Sequence, residues 1–119
     1  MKKILLTLAA ALGISAAASA AITPASFPGG AEAEKEYIAT NMKYPPMAKE
    51  NGVEGVVGVI FVVMPDGSIG NIKIKRMVDP DLESEAIRLV KTMPKWNPAT
   101  DNGKPVESKA EVDVSFTLE

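Results

Sequence analysis

The most apolar stretch beyond the first twenty residues is VEGVVGVIFVVM at 53–64, where hydrophobic residues occupy most positions. A run that is apolar on both faces is typical of a central strand covered on both sides, or nearly so. The segment Pro65 to Ser68 reads PDGS, a turn signal. The next segment, IGNIKIKR at 69–76, alternates Ile and Lys as a strand with one wet face does. These patterns predict a β-hairpin over 53–76.

Two helical segments precede this hairpin. FPGG at 27–30 leads into AEAEKEYIATNM at 31–42, a segment of strong helix formers with a weak apolar stripe, which predicts a peripheral helix. The residue before a proline avoids the helical region, so Tyr44-Pro45 ends this helix near Lys43. A short helix is predicted over PMAKEN, with Gly52 as its left-handed stop.

The strongest helical pattern lies at 78–93 (VDPDLESEAIRLVKTM). Asp79 is the predicted cap, and Pro80 fills the first turn. Its apolar face comprises Leu82, Ala86, Leu89, Val90 and Met93. Pro94 ends the helix, and we interpret residues 94–106 as a loop with Trp96 as its large apolar anchor.

The last segment, KAEVDVSFTL at 109–118, alternates apolar and polar residues and predicts a strand with one solvated face. A crossover helix precedes it, so it should run parallel to the second strand and pair with the first. The fold class is therefore α+β, with a three-stranded antiparallel sheet in the order 2-1-3 and helices packed mainly on one face. The last strand is then an edge strand with unpaired backbone groups.

The N-terminus has the three-part pattern of a secretory signal peptide. MKK is followed by ILLTLAAALGI and by small residues ending at Ala18-Ser19-Ala20, so we expect cleavage after Ala20 and export to the periplasm. An uncleaved membrane anchor is the alternative, although the apolar run is shorter than the ~20 residues of a typical span. The expected organisation is a signal peptide at 1–20, a mobile lead at 21–26 and one domain at 27–119.

Composition excludes several kinds of chemistry. The chain has no cysteine and no histidine, which removes disulfides, the usual zinc sites and Cys-His or Ser-His catalysis. No acid–base pair calls for an enzyme, and we expect no catalytic residues, metal or cofactor. Without Lys2 and Lys3, eleven basic residues face fifteen acidic ones, a net charge of −4 that argues against nucleic acid as a partner.

The ordered set of motifs resembles the TonB C-terminal domain family over about residues 27 to 118. FPGG precedes the first helix, the apolar strand follows a Tyr-Pro corner, and a Lys-Trp pair and NGKPV lie before the last strand. The residues that carry the resemblance and that we expect to be structural are Tyr44, Pro45, Gly52, Gly55, Asp66, Gly67, Trp96 and Pro98.

The resemblance implies a periplasmic module that binds outer-membrane TonB-dependent receptors of siderophore, cobalamin or other nutrient uptake. Such domains add a short extended receptor segment, the TonB box, to the edge of their last strand. Here that strand supplies the predicted partner-binding residues Lys109, Ala110, Glu111, Val112, Asp113, Val114 and Ser115. The resemblance also places Asn41 and Lys43, just before the Tyr-Pro corner, in contact with the box.

Full-length members also carry a proline-rich spacer and a membrane helix with a histidine, and neither is found in this sequence. We therefore expect binding without proton-driven energy transduction, and membrane contact only indirectly if the signal peptide is cleaved. The alternative is a small structural or regulatory envelope protein that uses the fold for another partner or for a homodimer through the last strand.

Overall fold

The computed structural model describes residues 21–118. The expected signal peptide at 1–20 and Glu119 lie outside the described residues. The helices are α1 (Ala31–Asn41), α2 (Pro46–Glu50) and α3 (Pro80–Lys91). The strands are β1 (Ile22–Thr23), β2 (Gly55–Val63), β3 (Ile69–Arg76), β4 (Ala99–Asp101), β5 (Lys104–Val106) and β6 (Ser108–Phe116). None of the helices in this part of the chain is both long and apolar enough to cross a membrane.

The main sheet has the order β3-β2-β6, and both of its pairings are antiparallel. The predicted order 2-1-3 is confirmed. β2 and β3 form the hairpin, closing on the pair Val63↔Ile69. β6 lies along the other side of β2, from Gly55↔Phe116 to Val63↔Ser108. β3 and β6 are thus parallel to one another and separated by β2, as a crossover through α3 requires.

One face of the main sheet forms the hydrophobic core. Alternate side chains of β2 and β6 point into it, and the predicted apolar face of α3 packs against them. Among the buried core residues are Val57, Val59, Phe61, Val63, Leu82, Ala86, Leu89, Val90, Met93, Val112, Val114 and Phe116. α3 begins where the sequence predicts, because the Asp79 carboxylate accepts hydrogen bonds from the backbone N–H groups of Asp81 (3.0 Å) and Leu82 (3.3 Å).

The second face of the sheet differs from the prediction of a strand covered on both sides. Outward-facing Ile60 and Val62 of β2 are half-buried, while their neighbours Lys73 of β3 and Lys109 of β6 are exposed. Long aliphatic stems of lysine can shield apolar surface while the charge stays in water. The apolar character of β2 therefore reflects its central position between two strands rather than a second layer of helices.

A second, small sheet in the order β1-β4-β5 was not predicted. The segment 94–106, interpreted as a loop, contains the β4–β5 hairpin, whose turn residues Asn102 (φ 53°) and Gly103 (φ 81°) both have positive φ. This is the Asn-Gly signature of a two-residue hairpin. The segment 21–26, expected as a mobile lead, pairs with this hairpin through Ile22↔Asp101, and Ser26 bridges to Asn97.

An aromatic cluster joins the two sheets and fixes the β2–β3 turn. Trp96 is 6% exposed and packs edge-on against Phe27 (centroids 5.9 Å apart) and Phe61 (5.2 Å), so the interpretation of Trp96 as a core anchor is confirmed. The backbone N–H of Trp96 donates to the backbone carbonyl oxygen of Gly67 at 2.9 Å. Gly67 has φ +90°, and a side-chain carbon there would collide with the Trp96 carbonyl oxygen.

Candidate functional site

The structure places the predicted partner-binding strand at the edge of the main sheet. Within residues 21–118, β6 pairs with β2 and with no other strand. Its side chains alternate as the sequence predicts: Val112 and Val114 are buried, Ala110 is half-buried, and the outward set is exposed, comprising Lys109, Glu111, Asp113 and Ser115. One row of backbone N–H and C=O groups on a nine-residue strand is therefore left without a strand partner.

Side chains of a strand point to the two faces of its sheet, so the exposed charges of β6 project from the outer face and not along the row of edge backbone groups. Glu111 forms an ion pair with Lys75 of β3 at 3.0 Å, and both side chains are roughly half exposed (43% and 54%). An ion pair this exposed contributes little to stability because water screens it. The edge of β6 thus presents main-chain donors and acceptors of the kind with which extended peptides pair in strand addition.

Tyr44 brings the predicted contact segment 41–43 toward one end of β6. Its ring packs edge-on against Phe116, the last residue of β6, with centroids 5.7 Å apart. Its hydroxyl donates to the Val53 carbonyl oxygen. Burial, followed by the nearby Glu54 carboxylate, raises the pKa of Tyr44. The corner between α1 and α2 is thus tied to the start of β2 and the end of β6, which lie side by side at one end of the pair (Gly55↔Phe116).

The backbone of the contact segment is held by two residues of α3 that sequence reasoning missed. The Lys43 N–H donates to Glu85 Oε2 at 2.7 Å, and Arg88 Nη2 donates to the Asn41 carbonyl oxygen at 2.9 Å. Arg88 also donates to both Glu85 carboxylate oxygens at 2.7 Å. The side chains of Asn41 and Lys43 are exposed, so both remain accessible while their backbone is fixed.

Glu85 is an ionised side chain on a buried position. Its burial would raise the pKa of the carboxyl, but the hydrogen bonds from Arg88 and from the Lys43 N–H outweigh burial and lower the pKa of Glu85. A sequence signal existed: Glu85 interrupts the apolar face of α3 between Leu82 and Leu89, with Arg88 one turn later. A charge on an apolar helix face three residues from its counter-charge indicates a paired, buried carboxylate.

The remaining motif residues lie in turns and element ends. Pro45 is the N-cap of α2, and Gly52, with φ +66°, follows the C-cap residue Asn51 as the predicted left-handed stop. Gly55 is the first residue of β2, and Pro98 directly precedes β4. In the β2–β3 turn the Asp66 carboxylate accepts a hydrogen bond from the Ser68 backbone N–H. No group of three or more acidic side chains within the described residues is arranged to hold a metal ion.

A family model described as the Gram-negative bacterial TonB protein C-terminal matches residues 40–118. The chain belongs to the TonB C-terminal domain family. The matched range covers the corner at Tyr44, both helices that follow it and the complete main sheet. The edge strand and the Glu85–Arg88 pair thus lie within the part of the chain that defines TonB family membership.

Relatives named TonB support the same conclusion. The chain is 30% identical over 112 residues to Protein TonB of Pseudomonas aeruginosa, covering 90% of this chain and 32% of that protein. It is 32% identical over 77 residues to Protein TonB of Xanthomonas campestris pv. campestris, covering 64% of this chain and 34% of that protein. The chain therefore spans about a third of the length of these relatives.

The fold is also that of a solved TonB domain. The solution structure of the Helicobacter pylori TonB C-terminal domain matches with a TM-score of 0.56 at 22% identity, covering 92% of this chain and 98% of that one. At this identity the likeness shows the fold alone. It supports the α+β architecture of the TonB family for this chain.

Proposed function

We propose that this TonB-family domain is a binding module, not an enzyme, that adds the TonB box of an outer-membrane TonB-dependent receptor to β6. The observation that carries the proposal is the unpaired edge of β6 in a member of this family. The domain would act in the periplasm, in receptor-mediated transport. Asn41 and Lys43 would contact the bound segment with their side chains, close to the Phe116 end of β6.

The expected interaction is weak and reversible. About six main-chain hydrogen bonds at a net ~0.5–1.5 kcal/mol each can form along the seven residues 109–115. Ordering a flexible peptide offsets part of this gain. Such a balance suits a partner that must be released after each transport event.

An NMR titration tests the proposal. The full chain is expressed with its own leader, labelled with ¹⁵N, purified as the cell processes it, and titrated with synthetic TonB-box peptides from the same genome. We expect the largest amide shifts in residues 109–115, with smaller shifts at Asn41 and Lys43. A scrambled peptide serves as the control. Binding without shifts in 109–115, or no binding at all, would contradict the proposal.

The same edge could instead pair with a second copy of this chain, as a structural or regulatory envelope protein would use it. Sedimentation of the protein separates the two functions. A monomer that binds the peptide supports the proposal. A stable dimer whose β6 amides are already protected, and that recovers no receptor from an envelope extract, favours self-association.

A further inference from the structure

A cleft of about 410 Å³ lies beside the first half of β6, at the end opposite the Tyr44 corner. Its walls come from three places: the segment around β1, the first turn of α1, and the residues Ser108 to Glu111 of β6. The floor is apolar and includes the aromatic rings of Phe27 and Trp96. Ile22 lines the cleft with 61% of its surface exposed, so it adds apolar surface to the cleft.

Two residues that line this cleft each carry a buried polar atom without a hydrogen-bond partner. Within the described residues, Trp96 Nε1 and Ser108 Oγ are the buried side-chain nitrogen and oxygen atoms that make no hydrogen bond. Trp96 and Ser108 both line the cleft. Buried polar groups are nearly always paired, so unpaired ones need an explanation. The indole N–H can only donate and the hydroxyl can donate or accept, so each of them can pair with a carbonyl or similar acceptor.

The charges around the cleft offer no net attraction to an anionic occupant. Glu111 of β6 is ion-paired with Lys75, and the other charged lining residues are one anion, Glu34 of α1, and one cation, Lys109. Partial burial raises the pKa of Glu34, which means that its carboxylate is already poorly solvated. An acidic side chain entering the cleft would add to this cost. The apolar lining and the charges together fit an uncharged, apolar side chain, with a hydrogen-bond acceptor such as a backbone carbonyl next to it.

We propose that this cleft, formed by the residues around β1, the first turn of α1 and Ser108 to Glu111, is a specificity pocket for one bulky apolar side chain of the peptide strand that pairs with β6. A backbone carbonyl of the same peptide next to that side chain supplies the missing acceptor. This inference rests on the proposed function, because it takes the occupant to be the strand added to β6. It goes further in naming the chemistry that one position of that strand must have.

Peptide substitutions test the pocket first. Each apolar residue of a binding peptide is replaced in turn by Ala and by Asp, and binding is followed by the fluorescence of Trp96, the single tryptophan of the chain. At one position we expect roughly a tenfold rise in Kd with Ala, a larger rise with Asp, and loss of the fluorescence change. If every apolar position tolerates Asp, the pocket inference is overturned although binding at β6 stands.

A matched pair of variants of α1 tests the same cleft from the protein side. Ala31 is exposed and lines the cleft, whereas Ala39 is exposed on the same helix and does not line it. Ala31→Leu fills the cleft from its wall, so we expect it to raise Kd by about tenfold while Ala39→Leu leaves Kd unchanged. Equal affinities for the two variants would contradict the pocket.

Ser108→Ala separates a binding role from a merely structural one. The hydroxyl has no partner in the free protein, so its removal should leave the thermal midpoint unchanged or raise it. If the hydroxyl gains its partner from the peptide, the same variant raises Kd about threefold or more. A higher thermal midpoint with unchanged Kd would show that the unpaired hydroxyl only destabilises the fold and takes no part in binding. A peptide that shifts no amide in 109–115 would overturn the proposed function itself.

Discussion

At the scale of single residues, Gly67 shows how closely the β2–β3 turn is packed. Its positive φ and the approach of the Trp96 carbonyl are two separate reasons for glycine at this position. The sequence predicted the first reason from the Pro-Asp-Gly pattern. It could not predict the second, because Trp96 is 29 positions away along the chain and reaches the turn only in the folded protein.

Gly67→Ala and Gly103→Ala distinguish these two reasons. Both glycines have positive φ (+90° and +81°), but a side-chain carbon at Gly103 meets no atom within 4 Å. We expect Gly103→Ala to lower the free energy of unfolding by about 1 kcal/mol, and Gly67→Ala by about 2–4 kcal/mol, because it adds a clash with backbone. Denaturation in urea measures both. Equal losses of unfolding free energy in the two variants would show that the Trp96 carbonyl does not exclude a side chain at position 67.

At the scale of elements, α1 is the part most loosely built into the fold. None of its residues is buried. Half-buried Ala33, Tyr37 and Ile38 pack against the core, and polar contacts join α1 to α3 at its middle and at its C-terminal end. The Tyr37 hydroxyl donates to the Leu89 carbonyl oxygen at 3.2 Å, while Glu85 and Arg88 hold the backbone beyond its C-terminus. Its position relative to the β6 edge therefore depends on these hydrogen bonds as well as on a small apolar contact with the core.

Replacing Glu85 tests this attachment. Glu85→Gln should lower the free energy of unfolding at neutral pH by roughly 1–2 kcal/mol, since hydrogen bonds to a charged acceptor are lost and Arg88 is partly exposed. The pKa of folded Glu85 lies below its ordinary value of 4.5. The stabilisation is therefore present above about pH 4.5 and is lost as pH falls through the lower folded pKa.

The measurement is urea denaturation of the wild type and the variant across the acid range. The difference in stability between them should shrink below pH ~4.5, and exposed Glu36→Gln on α1 is the control that should match the wild type. A constant difference at all pH values would mean that the carboxylate charge of Glu85 contributes nothing to holding α1.

The sequence predicted those elements whose own pattern is strong. α3 has a cap, a proline at its start and an apolar face, and the β2–β3 hairpin and β6 have clear periodicity. The β4–β5 hairpin was missed because its strands have three residues each, too few for periodicity, although Asn102-Gly103 was a readable turn signal. β1, with two residues, has no local signal at all and forms only because β4 offers it an edge.

The candidate site was predictable only in part, for the same reason. The edge position of β6 follows from strand order, so the sequence could predict it. The cleft beside β6 depends on β1 and on Trp96, which come together only in three dimensions. The Glu85–Arg88 pair left a trace in the sequence, but its partners at Asn41 and Lys43 lie more than forty positions away.

At the scale of the whole molecule, the main sheet has one covered face, one open face and two edge strands, β3 and β6, of which β6 is the proposed binding edge. Recognition through the edge relies on backbone groups, and the exposed charges of β6 have mixed sign. We therefore expect the Kd for a TonB-box peptide to change less than about threefold when salt is raised tenfold. Fluorescence titration at several salt concentrations measures this. A steep salt dependence would indicate that surface charges, not the edge, hold the peptide.

Hydrogen exchange of the β6 amides tests the central claim most directly. In an antiparallel edge strand, alternate N–H groups point away from the neighbouring strand, so every second amide of residues 109–115 should exchange fast in the free protein. A saturating TonB-box peptide should slow exchange at those amides, while the amides bonded to β2 change little. If the peptide binds and the fast amides of β6 keep their rates, strand addition at this edge is contradicted.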